Sequence, residues 1–214
     1  MSKTTLIDFP ILNDGYTPDD RDEYTQQLEA LAARHGILPA GRYDTLQHLS
    51  GSLQGAIGVN LWEMDAPGAL DALLSDVEYR ANVEWRDQLH DMERLTMYLA
   101  SSVLDEGPPD PEKPALLDLV VLNPGMTLED RAEYGKTVAQ IAAEYGARVR
   151  RSFRIDRHVR GDLPEAVEFN IWELPDPGVF EKILSHPDYQ ANIGERDRIH
   201  DMGRLTMILA KPRI

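Results

Sequence analysis

The amino-acid sequence predicts an α+β fold: two ferredoxin-like β-α-β-β-α-β modules packed sheet to sheet as one intramolecular barrel. Three observations predict it. Shifted by 110 positions, the 214-residue chain falls on itself without a gap, and residues 6–100 match 116–210 at 38 of 95 positions. Within each copy, short apolar runs alternate with helical segments in the split-βαβ order. Between the copies, 101–115 carries Pro108, Pro109, Pro111 and Pro114 with four acids and one lysine, which predicts an extended linker. The predicted organisation is module 1 over 1–100, the linker over 101–115, and module 2 over 116–214.

Each element follows from local pattern. The first strand is the apolar run 6–12, matched by 116–122. Thr17 and Thr127, each with an acid three residues on, read as helix N-caps, and Gly36 and Gly146 as C-terminal stops. The second strand is charged, near 42–49 and 149–159. The third is 56–63, matched by 166–173. The second helix begins after Gly68 or Gly178 and breaks near 75–77 or 185–187. It ends about 89 or 199. The fourth strand is 94–100, matched by 204–210. A two-layer module covers only one sheet face with helices, so the second copy is the obvious cover for the other.

Composition narrows function. Lys and Arg number 22 and Asp and Glu 37, so the net charge is 22 − 37 = −15, which argues against a general nucleic-acid binder. Cysteine is absent, which removes thiol catalysis, Cys-ligated zinc and disulfides. No apolar window reaches membrane length, and no secretory signal is visible. These features predict a soluble, cytoplasmic protein with a small-molecule ligand, a monomer holding its own barrel or a homodimer.

Strand alternation predicts the site. Ile7, Phe9 and Ile11, then Ile57, Val59 and Leu61, then Leu95, Met97 and Leu99 form apolar faces expected to meet the helices. The opposite faces are then expected to line the space between the sheets. They carry Asp8, Asn60, Trp62, Arg94, Thr96 and Tyr98 in module 1, and Asp118, Asn170, Trp172, Arg204 and Thr206 in module 2. Unpaired polar groups in such a space are costly, so the lining reads as a ligand cavity with an Asp–Arg pair and an aromatic floor. The alternative is an ion pair at a strand end with the tryptophan merely packing.

His48 and His158, at the ends of the second strands, are candidate general bases, with Asp8 and Asp118 as competitors. They could equally be solvated hairpin histidines. Tyr79, Asn82, Arg86 and His90 share one helical stripe, repeated as Tyr189, Asn192, Arg196 and His200. The stripe suits a helix C-terminus in the dipole field. Copy two carries extra arginines around its second strand, including Arg150 and Arg154, which reads either as edge protection or as a rim for an anionic ligand.

The segments Leu61-Trp62-Glu63-Met64 and Ile171-Trp172-Glu173-Leu174, with Leu184-Ser185-His186-Pro187-Asp188-Tyr189-Gln190, resemble the dimeric α+β barrel superfamily. They are similar to small uncharacterised members with an S-P-E-Y-Q motif on the second helix. More distantly they resemble the antibiotic-biosynthesis monooxygenases, which place an Asn and a Trp on the third strand. Asn60 and Trp62, or Asn170 and Trp172, would play those parts. Members include cofactor-independent oxygenases, polyketide cyclases, isomerases, haem enzymes and stress proteins. The expected activity is cofactor-free enolate chemistry on a small carbonyl-bearing or aromatic metabolite, as monooxygenase, cyclase or isomerase in secondary metabolism. In that reading Arg94 and Arg204 assist the developing oxyanion, and Trp62, Trp172, Thr96, Thr206, Tyr98, Arg150 and Arg154 contact substrate. The alternatives are a non-catalytic binding or stress protein, and a haem enzyme using His90 or His200.

Overall fold

The computed structural model describes residues 4–66 and 68–213; residues 1–3, Pro67 and Ile214, which belong to the predicted modules, lie outside the described residues. Module 1 runs β1 (Thr4–Phe9), α1 (Pro18–Ala33), β2 (Ile37–Ser50), β3 (Gly58–Met64), α2 (Ala69–Ser75), α3 (Val77–Ala81), α4 (Val83–Leu89) and β4 (Thr96–Asp105). Module 2 repeats the order as β5 (Ala115–Val121), α5 (Leu128–Glu144), β6 (Arg148–Arg160), β7 (Ala166–Glu173), α6 (Val179–Ser185), α7 (Pro187–Ala191), α8 (Ile193–Ile199) and β8 (Thr206–Arg213). The strands close an antiparallel barrel in the order β1-β3-β2-β8-β5-β7-β6-β4.

The helix starts are where the sequence places them. Thr17 accepts from the Asp20 amide, and Asp20 accepts from the Thr17 amide at 2.7 Å, a closed capping box repeated at Thr127 and Asp130. The second helix breaks into three in each module at Asp76 and Asn82, or His186 and Asn192, and the side chains of Asp76 and His186 cap the helix that follows. Among the described residues no helix is long and apolar enough to cross a membrane.

The second strands are longer than their composition suggests. Each of β2 and β6 pairs along one edge with its own module and along the other with the opposite one, β2 with β8 and β6 with β4. These two seams close the barrel, and β-bulges at 45/47 and 48/50 give β2 the coiling that closure requires. β4 runs on to Asp105 and β5 begins at Ala115, so both ends of the predicted linker are strand and 106–114 is loop.

The lumen is full. Ile7, Phe9, Val59, Leu61 and Tyr98 of module 1 pack against Leu117, Phe153, Phe169, Ile171 and Ile208 of module 2. Phe9 meets Phe169 edge-on across the modules, ring centres 5.6 Å apart. Two further apolar clusters lie between each sheet face and its own helices, one around Leu31, Trp62, Leu70 and Tyr79, the other around Ile141, Val179, Ile183 and Tyr189. This corrects the predicted faces of the first and third strands. Their strictly apolar sides fill the barrel, and the sides bearing Asp8, Asn60 and Trp62 turn toward the helices. The reason is volume: with two sheets face to face, the lumen takes the largest continuous apolar surface available. For β4 the expected direction is observed, Met97 and Leu99 toward the helices and Tyr98 inward.

Candidate functional site

Two cavities lie between sheet and helices, one in each module. The module 1 cavity, about 280 Å³, is bounded by Asp8, Trp62 and Met97 on the sheet and by Arg21, Tyr24, Tyr79, Arg86 and His90 from the helical layer. Val159 and Arg160 of β6 complete it from the other module. The module 2 cavity, about 100 Å³, repeats the pattern with Asp118, Trp172, Arg131, Tyr134, Tyr189, Arg196 and His200.

Asp8 is the buried centre of the first. It accepts from Asn60 Nδ2 at 2.6 Å and from Trp62 Nε1 at 2.7 Å, and lies 3.7 Å from Arg21 Nη2. Cross-strand register makes this possible, since Asp8 pairs with Asn60 and the strand pleat returns Trp62 to the same face. Burial pushes the Asp8 carboxyl above the usual carboxylate range, with Arg21, Asn60 and Trp62 opposing. Asp118 is raised for the same first reason, with Arg131 opposing and Glu168 adding to the rise. Burial also lowers the Arg21 pKa, against the pull of Asp8.

His90 is the histidine of this cavity. Its Nδ1 lies 3.1 Å from the Arg86 carbonyl, which can only accept, so Nδ1 carries the proton and Nε2 the lone pair. Burial, then the charge of Arg21, lowers its pKa to about 4, so the ring is neutral at neutral pH. Asn13 holds it in place: its amide donates to the carbonyls of Asp87, Gln88 and His90 and ties off the end of α4. Tyr79 accepts from Arg86 Nη1 at 2.9 Å. Asn123, His200 and Tyr189 repeat the arrangement, and the His200 pKa is lowered to about 4, again chiefly by burial.

Several predicted site residues stand elsewhere. His48 and His158 lie on the seam strands opposite Ile208 and Tyr98 and line neither cavity. His48 Nε2 is 3.0 Å from the Ala56 carbonyl, and the His158 ring packs on Tyr98. Bulges along both seams break the strict alternation of the strands that carry them. Arg94 does not pair with Asp8; it donates to the Gln54 carbonyl, and Arg204 pairs with Glu165. Arg94 and Arg204 precede β4 and β8, beyond the reach of the sheet's alternation. Thr96 bridges the Arg94 carbonyl and the Asp162 amide, and Thr206 donates to the Arg204 carbonyl. Tyr98 fills the lumen and donates to the Leu163 carbonyl at 3.0 Å. Arg150 reaches the Glu106 carbonyl, and Arg154 is exposed. From the arginine-rich strand it is Arg160 that enters a cavity, held by the Met92 carbonyl.

Sequence reasoning missed Arg21, Tyr24 and Arg160 as site residues. Arg21 and Tyr24 carried a signal: both are identical in the second copy, as Arg131 and Tyr134, and their spacing of three puts them on one helix face.

A porphyrin does not fit. The larger cavity falls just under the ~300–1,000 Å³ of pockets for drug-sized ligands, and a haem macrocycle is bulkier than most of those. Among the described residues no three His, Asp or Glu side chains converge as a metal set.

No protein-family model and no curated protein matches the chain by sequence. Solved structures do match in fold. An anthrone oxidase-like protein superposes with a TM-score of 0.65 at 10% identity, covering 100% of this chain and 93% of that one. A single-site variant of the chlorite dismutase from Candidatus Nitrospira defluvii gives 0.58 at 11%, covering 99% and 92%. A protein from Lactobacillus acidophilus assigned as a monooxygenase gives 0.54 at 14%, covering 99% and 95%. The matched elements run the whole length of the chain, and with the closed eight-stranded barrel they identify its fold as a dimeric α+β barrel, both halves carried by one polypeptide.

Proposed function

We propose that the module 1 cavity is the active site of a cofactor-independent enzyme, of monooxygenase type, acting on a small ring-bearing metabolite with a CH2 group activated by conjugation with a carbonyl. The observation that carries this reading is Asp8. A carboxylate held by two N–H donors at the wall of an otherwise largely apolar cavity, with its pKa raised by burial, has the attributes of a general base. The apolar wall of Leu6, Leu70, Leu73 and Trp62 suits a ring system.

In this reading Asp8 takes the proton, and the electron pair of the broken C–H bond moves onto the carbonyl oxygen. Arg86 and Arg160 stabilise the enolate, as preorganised cations do in a water-poor site. Neutral His90 offers Nε2 as a hydrogen-bond acceptor for a ring hydroxyl. The enolate carbon is electron-rich enough to bond to dioxygen; the O–O bond and the second C–H bond then break, one oxygen atom stays as the new ring carbonyl, and the other leaves as water with the two hydrogens of the CH2. The fold neighbour described as anthrone oxidase-like makes an anthrone the first substrate to try.

The test is oxygen uptake and quinone formation from an anthrone by the intact chain and by Asp8→Asn. The expected loss in Asp8→Asn is ~10²–10⁴-fold, the usual worth of a positioned base, with binding retained. Equal turnover would remove Asp8 as the base, and binding without product in the intact chain would make this a binding protein.

A further inference from the structure

One difference between the two modules points to a second site. In module 2 the Glu168 carboxylate accepts from Arg131 Nη1 at 2.6 Å and from Asn170 Nδ2 at 2.8 Å. Asn170 thus shares its amide between Glu168 and Asp118. In module 1 the counterparts of Arg131 and Asn170 are Arg21 and Asn60, but Glu168 is replaced by Gly58.

What stands there instead is a recess of about 190 Å³, bordered by Arg21, Gly58, Asn60 and Arg213. Arg21 is 92% buried, its exposure being 8%, yet among the described residues its one ion pair is Asp8 at 3.7 Å, where Arg131 has Asp118 at 3.5 Å and Glu168 at 2.6 Å; the Nε of neither arginine has an acceptor. Among the described residues Asn60 Nδ2 makes one hydrogen bond, to Asp8, where Asn170 makes two. So the two donors that Glu168 satisfies in module 2 are left over in module 1. A mostly buried guanidinium whose one ion pair among the described residues spans 3.7 Å is costly. The chain cannot supply the missing carboxylate from Gly58, since a Cβ there would lie 2.3 Å from the Tyr43 carbonyl oxygen. The two acids at the recess do not serve either: Arg42 and Arg213 hold Asp22 at 2.5 and 2.7 Å, and Arg213 holds Asp44 at 3.2 Å.

We propose that the recess beside Gly58 is a carboxylate-binding site, in which Arg21 and Asn60 hold a ligand's carboxylate as Arg131 and Asn170 hold Glu168. Module 2 carries its own occupant, so the chain binds one such carboxylate. The site stands apart from the assignment of Asp8 as a base. Because Arg21 also borders the larger cavity, the carboxylate belongs either to a separate small acid or to the ligand of that cavity.

The experiment is an NMR titration of the full chain with acetate, then with 2-naphthoate, at constant ionic strength against chloride. The side-chain amides of Asn60 and Asn170 are followed. The Asn60 amide should shift saturably, and the Asn170 amide should not. Glu168→Ala should make Asn170 respond as well. Arg21→Gln should weaken Asn60 saturation at least tenfold, and Arg21→Lys, which keeps the charge, should recover part of it. Naphthoate binding more tightly than acetate and moving the Trp62 indole would assign the carboxylate to the larger cavity's ligand; equal affinities would assign it to a separate acid. Overturning results are a wild-type Asn60 that does not saturate, saturation unchanged in Arg21→Gln, or an Asn170 still silent in Glu168→Ala. Because binding is read directly, a failed turnover assay with Asp8→Asn leaves this result unaffected.

Discussion

The indole Nε1 of Trp62 donates to Oδ2 of Asp8 across 2.7 Å, within the sheet face turned to the helices. The large aromatic therefore does more than floor the cavity: it holds the carboxylate that the cavity is built around. Trp62→Phe keeps most of the ring and deletes the donor. It should cost about 1–3 kcal/mol, the penalty for a buried acceptor losing its partner. That bond stabilises the ionised form of Asp8, so the deficit should widen as pH rises through the Asp8 titration. Urea unfolding of both proteins at several pH values measures it.

The two buried histidines set acid sensitivity. Both have folded-state pKa values lowered to about 4 from 6.5. A lowered value means that the unfolded chain takes up the proton first. The stability they contribute is therefore complete above pH 6.5 and is lost as pH falls toward 4. For His90 the full loss is on the order of 3 kcal/mol. His90→Gln should flatten the fall in stability between pH 6.5 and 4, and His90→Gln with His200→Gln should flatten it further. Chemical denaturation across that range is the check.

Phe169 links the halves through the lumen, against Phe9 at 5.6 Å and Phe153 at 6.3 Å. Phe169→Ala should cost about 3–5 kcal/mol, as truncation of a buried aromatic does. Because the lumen is shared, the loss should appear as one cooperative transition at lower denaturant. Two separated transitions would show that the modules unfold independently.

Gly15 and Gly51 share a backbone φ of +92° but differ in surroundings. A Cβ on Gly15 meets nothing within 4 Å, whereas one on Gly51 would lie 2.4 Å from the Leu205 carbonyl oxygen across the seam. Gly15→Ala should cost about 1–2 kcal/mol, the left-handed strain alone. Gly51→Ala should cost a further ~1–3 kcal/mol for the contact. Thermal unfolding of the pair separates strain from crowding.

The fold was legible because the 110-residue repeat supplied each element twice, so weak patterns such as the charged second strands could be placed by analogy. The site was legible in part. Asp8, Asn60 and Trp62 stood out as polar or amphipathic residues alternating with apolar ones and identical between copies. Which side of the sheet they faced was not legible. Alternation separates two faces and does not name them, and here the helix-side neighbours Leu6 and Leu99 are as apolar as the lumen's Ile7 and Val59. The stripe Tyr79, Arg86 and His90 was visible in the spacing, but its meaning depended on Asn13, seventy-seven residues from His90 in sequence, closing the end of α4 over it. The bulged seams that carry His48 and His158 defeat any argument by twos.

The exchange of seam strands, β2 onto β8 and β6 onto β4, also bears on how such a barrel can change. When two identical chains build it, a two-fold axis applies every substitution to both halves at once. Here one polypeptide writes each half separately. Gly58 can stand in one half and Glu168 in the other, and Arg160 can serve one cavity while Ser50 occupies the equivalent position near its twin. Freed from the axis, one half can specialise while its sister keeps the scaffold upright.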